Sequence, residues 1–179
     1  SITPVSGVYQ FNNLVVTEGS YLNFKYTANT SDIDQRFIIP NDSVDTTTLS
    51  VKVQESASDS TTRTYTLASG ITGIDSSSEV YFLQEVEGGR FEVYFGDGVM
   101  GKAIADGNIV ILDYINTNRD APNGATSFTL SGTVGGFSSA TVTTISNASG
   151  GTGLESIASI KYNAPRDYTA QDRAVTAED

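Results

Sequence analysis

The sequence contains no cysteine, no histidine and no tryptophan. Without cysteine there is no disulfide framework and no thiolate metal site. Without histidine and cysteine, the Ser-His-Asp and Cys-His nucleophile systems are excluded. Basic residues are scarce, with 10 Lys and Arg against 21 Asp and Glu, a net charge of −11. They are scattered from Lys25 to Arg173 and form no patch able to displace counterions from phosphates, which argues against a nucleic-acid partner. An anionic membrane surface is disfavoured for the same reason. No apolar run approaches the roughly 18 residues that cross a bilayer as a helix.

What is present is a polar chain of 179 residues, 38% hydrophobic and 17% charged. Its polarity comes from Ser, Thr, Asn and Gly, a composition suited to strands with one wetted face and many turns. Leu22, Phe24 and Tyr26 alternate with polar residues, as do Leu49, Val51 and Val53, then Tyr65 and Leu67, then Phe91, Val93 and Phe95; this is the period of half-buried strands. Ile109-Val110-Ile111-Leu112 is continuously apolar, as in a strand covered on both faces. Glu87-Gly88-Gly89 between Val80–Val86 and Arg90–Phe95 predicts a hairpin. A Thr-rich run from Ala140, with Val142 and Ile145, predicts another strand.

These features predict a mainly β chain: β-sandwich-like antiparallel sheets with a short C-terminal helical segment, a β-rich α+β fold. The expected organisation is a β-rich domain over 1–146, open to division into two packed subdomains near 30–36. A Gly/Ser connector follows over 147–153, and then a helical docking segment over 154–179. In that segment Leu154, Ile157 and Ile160 fall at helical spacing, Thr152 and Glu155 form a candidate capping box, and Pro165 is expected to stop the helix. A second short helix is expected from Thr169. The first residues read as the interior of a longer protein and the last stop without a natural tail, so a fragment is expected.

Candidate chemistry is thin. Phe95-Gly96-Asp97-Gly98, followed by Gly101-Lys102, lacks the spacing and the hydroxyl of a phosphate loop and the ligand count of a calcium loop. Gly96, Asp97, Gly98 and Gly101 are read instead as a structural turn. The many carboxylates, among them Asp42, Asp45, Glu79 and Glu92, are more simply exposed strand faces than a catalytic pair. The four lysines stand in no Ser-x-x-Lys frame. Phe24, Phe91 and Phe95 are assigned to the core, and Tyr81, Tyr94 and Tyr114 to an opposite face open to an interface. Glu155, Arg166, Asp167, Gln171, Asp172, Arg173, Glu178 and Asp179 form a mixed-charge candidate interface, either a solvated helix surface or a docking segment. No catalytic residue, cofactor or metal ligand is assigned.

The blocks Gly151-Thr152-Gly153-Leu154-Glu155-Ser156-Ile157, Asn163-Ala164-Pro165-Arg166 and Gln171-Asp172-Arg173-Ala174-Val175-Thr176-Ala177-Glu178-Asp179 resemble the baseplate J-like family of contractile-tail phages. Phe95-Gly96-Asp97-Gly98 and Gly107-Asn108-Ile109-Val110 look like the same pattern, and the long polar insertions are most similar to those of T-even-type phages. The resemblance implies a structural, non-enzymatic wedge subunit of the virion's tail baseplate, assembled in the host cytoplasm. It implies self-association, joining of wedges into a ring around the hub, contacts with other wedge and sheath-initiating proteins, and rearrangement when the sheath contracts. Two other readings stay open: a receptor- or glycan-binding β-domain of a tail fibre or adhesin, and a carboxylate hydrolase.

Overall fold

A computed structural model describes residues 8–170 apart from 33, 71 and 139. The chain is mainly β, and its described residues form seven strands and one helix: β1 (Ser20–Thr27), β2 (Phe37–Ile38), β3 (Val44–Gln54), β4 (Thr62–Leu67), β5 (Val80–Val86), β6 (Arg90–Phe95), β7 (Ile109–Asn116) and α1 (Ile157–Ala170). The strands form one sheet in the order β1-β7-β3-β4-β5-β6-β2.

The continuously apolar run became β7, which lies between β1 and β3 and is buried from Val110 to Tyr114. The alternating runs became β1, β3, β4 and β6. The expected hairpin joins β5 to β6, with Val86 opposite Arg90 and both Gly88 and Gly89 at positive φ, where a side chain is disfavoured. Every ladder is antiparallel except β4–β5, where Thr66 faces Val80 and Leu67 faces Tyr81 in parallel.

The sheet curls until its two edge strands approach each other. The Tyr26 hydroxyl on β1 donates to the Ile38 carbonyl on β2 at 2.6 Å, and the Tyr26 and Phe37 rings lie 5.8 Å apart. The interior is crossed by ring contacts from Phe37 to Phe95 at 5.7 Å and from Phe95 to Tyr65 at 5.2 Å. Val51, Val93, Val110 and Leu112 fill the rest of the enclosed space. The β3–β7 register shifts between Asp45 and Ser50. There the Thr48 hydroxyl accepts from the Ile115 N–H at 3.0 Å, standing in for the missing ladder partner.

Four expectations are corrected. The Thr-rich run from Ala140 is not a strand, and Val142 and Ile145 are exposed; strand composition without an adjacent edge to pair with does not hold a strand. Pro165 does not stop α1, which continues to Ala170. Proline removes one helical bond, and side-chain bonds bracket it, from Asn163 to Glu155 at 3.0 Å and from the Thr169 hydroxyl to the Arg166 carbonyl at 2.8 Å. The cap is Ser156 rather than Thr152, its hydroxyl accepting from the Ser159 N–H at 3.2 Å. Thr169 lies inside α1 rather than capping a new helix, and the residues that the second helix was expected to occupy after Ala170 lie outside the described residues.

Candidate functional site

The glycine turn is a closed structural unit. The Asp97 carboxylate accepts from the N–H groups of Val99 and Met100, both at 2.9 Å. These backbone bonds, Met100 first, hold its carboxyl below the ordinary range. Gly98 and Gly101 both have positive φ, and a side chain at Gly96 would run into the backbone of Met100 and Gly101. The turn is tied to the preceding loop, since the Gly101 N–H donates to the Asp75 carbonyl at 3.0 Å and that of Lys102 to Ser78 at 2.9 Å. Its acceptors and donors are thus used internally, as in a turn that shapes the chain between β6 and β7. Among the described residues, no group of three or more acidic side chains is placed to hold a metal ion.

The carboxylates are dispersed into local contacts. Glu79 meets Arg63 at 3.3 Å and Lys102 at 3.1 Å, Glu92 meets Arg36 at 3.4 Å, Asp42 meets Arg119 at 3.6 Å, and Asp45 accepts from the Thr47 N–H. Among the described residues the acid most withdrawn from water is Asp113 on β7, which sequence reasoning did not single out. It accepts from Asn23 at 2.6 Å and from the Lys52 ammonium at 3.0 Å. Burial pushes its carboxyl up, but the hydrogen bonds from Asn23, Lys52 and Tyr21, with the Lys52 charge, outweigh burial and hold it below the ordinary range. Lys52 and Tyr21 are both pushed up by their hydrogen bond to Asp113. This network ties β1, β7 and β3 together across the sheet. Alternation inside an apolar run is hard to see, and that concealed Asp113.

The aromatic assignment changes in part. Tyr81 and Tyr114 are core residues rather than interface residues, and only Tyr94 of the three lies partly open. The Tyr114 hydroxyl donates to Asn41 at 2.6 Å, and burial pushes its pKa up to about 12. Phe24 is more exposed than expected because β1 is an edge strand, although its ring stacks 6.3 Å from Tyr114. Tyr94 stacks on Phe82 at 5.1 Å, and the Arg36 guanidinium sits 4.1 Å over the Tyr94 ring.

Of the mixed-charge candidates, Glu155 and Arg166 are described in full. Glu155 accepts from the Ser159 hydroxyl at 2.5 Å, which with Asn163 holds its carboxyl low. Arg166 donates to the Tyr162 hydroxyl at 2.8 Å. These contacts run along α1, and none reaches the sheet. Asp167 lies in α1, but its side chain is outside the description, as are Gln171, Asp172, Arg173, Glu178 and Asp179. The segment 147–153 is tied to the turn at 119–125. The Gly124 N–H donates to the Ala148 carbonyl at 2.8 Å, the Ala148 N–H to Ala125 at 2.9 Å, and Asn123 binds both polar groups of Gly151.

Sequence reasoning also missed the amount of apolar surface outside the sheet. Tyr9, Phe11, Leu14, Val15 and Val16 precede β1 and are exposed, Val15 at 88%. Phe128, Phe137, Val142 and Ile145 are exposed after β7, as are Ile157, Ile160 and Tyr168 on α1. Summed apolar content by segment was the available signal.

Residues 23–124 match the family model described as bacteriophage baseplate wedge protein gp6, third domain. A comparison with curated proteins gave no match. The matched interval includes the Gly96–Gly101 turn and β7; the blocks from 151 onward lie outside it.

Proposed function

The chain belongs to the family of the third domain of bacteriophage baseplate wedge protein gp6, and from that premise we propose that it is a scaffold domain joining wedge copies into the ring around the tail hub. The family places it among the structural proteins of the phage tail baseplate, in association with other baseplate proteins. The finer reading is ours. The chain self-associates, contacts neighbouring wedge and sheath-initiating proteins, is assembled in the host cytoplasm, and shifts its contacts when the sheath contracts. It performs no catalysis and needs no cofactor, and its wider kinship is with the baseplate J-like proteins of T-even-type phages. Within it, 1–146 is the β-rich domain, 147–153 the connector and 154–179 the docking segment, with Glu155, Arg166, Asp167, Gln171, Asp172, Arg173, Glu178 and Asp179 at the interface.

The observation that carries this reading is the contrast between a closed β core and the apolar side chains stranded outside it, on 9–16, 128–145 and α1. Apolar surface of this extent marks places where other protein surfaces sit. The one aromatic pair on the outer face of β5 and β6 has its open ring occupied by Arg36, so it offers no free platform for a sugar.

The test is where the chain sits in the particle. Gold-labelled antibody raised against the chain should mark the baseplate of purified tails in electron micrographs. Labelling confined to fibres, or absent from baseplates whose subunits have been loosened to expose them, would remove the reading.

A further inference from the structure

We infer that two copies of this chain pair through the open edge of β1, each laying its residues 14–17 along the β1 edge of the other. This rests on the self-association proposed above and gives it a surface.

Strand β1 pairs with β7 alone. Only its Tyr26 end approaches β2, so Ser20–Lys25 presents an unpaired edge among the described residues. Such an edge is a template for another strand.

The preceding segment does not turn back to cover it. Ser20 faces Asn116 at the end of the ladder, and the chain continues in step beyond that point. Glu18 accepts from both the backbone N–H of Asn118 at 3.0 Å and its side-chain amide at 2.6 Å. At Gly19 a side chain would strike Ile115 and the Asn116 carbonyl, so the backbone there lies against β7. The clamp carries the line of β1 back to Glu18, and among the described residues no backbone hydrogen bond ties 9–17 to the open edge, so no hairpin occupies it. A two-fold axis near this clamp sets the segment of each copy against the β1 edge of its partner, a reciprocal and self-complementary contact.

Charge and area favour a second copy over another partner. In a chain of net charge −11, Glu18 and Lys25 are the only charged residues from Val8 to Thr27. Two copies can approach here without the repulsion expected elsewhere on their surfaces. Tyr9, Phe11, Leu14, Val15 and Val16 are all more than half exposed. At roughly 100 Å² each they carry roughly 500 Å² per copy. A reciprocal exchange, counting the surfaces covered, buries about 2,000 Å², the size of a specific stable interface. Asn13, at φ 54°, bends the segment so that Tyr9 and Phe11 can pack beyond the strand pairing.

Sedimentation of the chain over a range of concentrations should show twice the 18.9 kDa monomer mass. A Phe11→Asp, Val15→Asp variant, altered outside the core and checked for an unchanged circular-dichroism spectrum, should lose the dimer. Amide exchange should slow at 14–17 and 20–25 as concentration rises in the parent chain only. A chain monomeric throughout overturns the inference. So does a dimer that survives the variant, or one whose β1 amides stay unprotected. Baseplate labelling alongside any of these results leaves the scaffold role standing and removes only the pairing.

Discussion

Asp113 is an ionised group set into a sheet, and its value depends on its three neighbours. Its hydrogen bonds to Asn23 and Lys52 cross from β7 to both flanking strands. Asp113→Ala leaves these donors without their acceptor, and the expected loss is about 1–3 kcal/mol in urea unfolding. The pH dependence follows from the direction of the shift. The folded carboxyl lies below its ordinary value of 3.8, so in that window the unfolded chain binds the proton more readily. The stabilisation is complete at neutral pH and is lost as pH falls through the ordinary carboxylate range toward the lower folded value. The acid limb of the stability profile should therefore be shallower in Asp113→Asn than in the parent.

At the scale of elements, β7 and α1 are held by different means. Leu112 on β7 is fully buried between the flanking strands. Leu112→Ala should cost about 2–5 kcal/mol, because the enclosed site cannot collapse around the cavity. Ile157 on α1 is 72% exposed, and Ile157→Ala should leave the melting temperature of the isolated chain unchanged. A helix of 14 residues interrupted by Pro165 is marginal without tertiary support, which the proposed docking on a partner would supply. Thermal melts of the two variants side by side check both expectations.

For the whole molecule, the imbalance of 21 acidic against 10 basic residues opposes compactness through self-repulsion. Adding salt should raise the melting temperature, because screening relieves that repulsion at a Debye length of about 8 Å near 0.15 M. The few surface ion pairs, such as Arg63 with Glu55 and Glu79, are too exposed to reverse the trend. A fall in melting temperature with salt, measured by circular dichroism, would mean that attractive pairs dominate. On the pairing proposed above, the same imbalance favours the β1 edge, where Glu18 and Lys25 cancel, as the place where two copies approach.

Local sequence pattern determined β1, β3, β4, β6, β7 and the β5–β6 hairpin, because alternation, apolar runs and glycine conformation are properties of neighbouring residues, whereas the two-residue β2 left no such signal. The baseplate was suggested by a resemblance of motifs and not by periodicity, and those motifs after residue 151 lie outside the matched interval at 23–124. Only the tertiary structure decided that Tyr81 and Tyr114 face inward and that Asp113 is enclosed by three strands. It likewise decided that β4 and β5 run parallel and that the Thr-rich run after Ala140 finds no partner strand. Each of these depends on which residues, distant in the chain, the curled sheet brings together, and no local pattern contains that information.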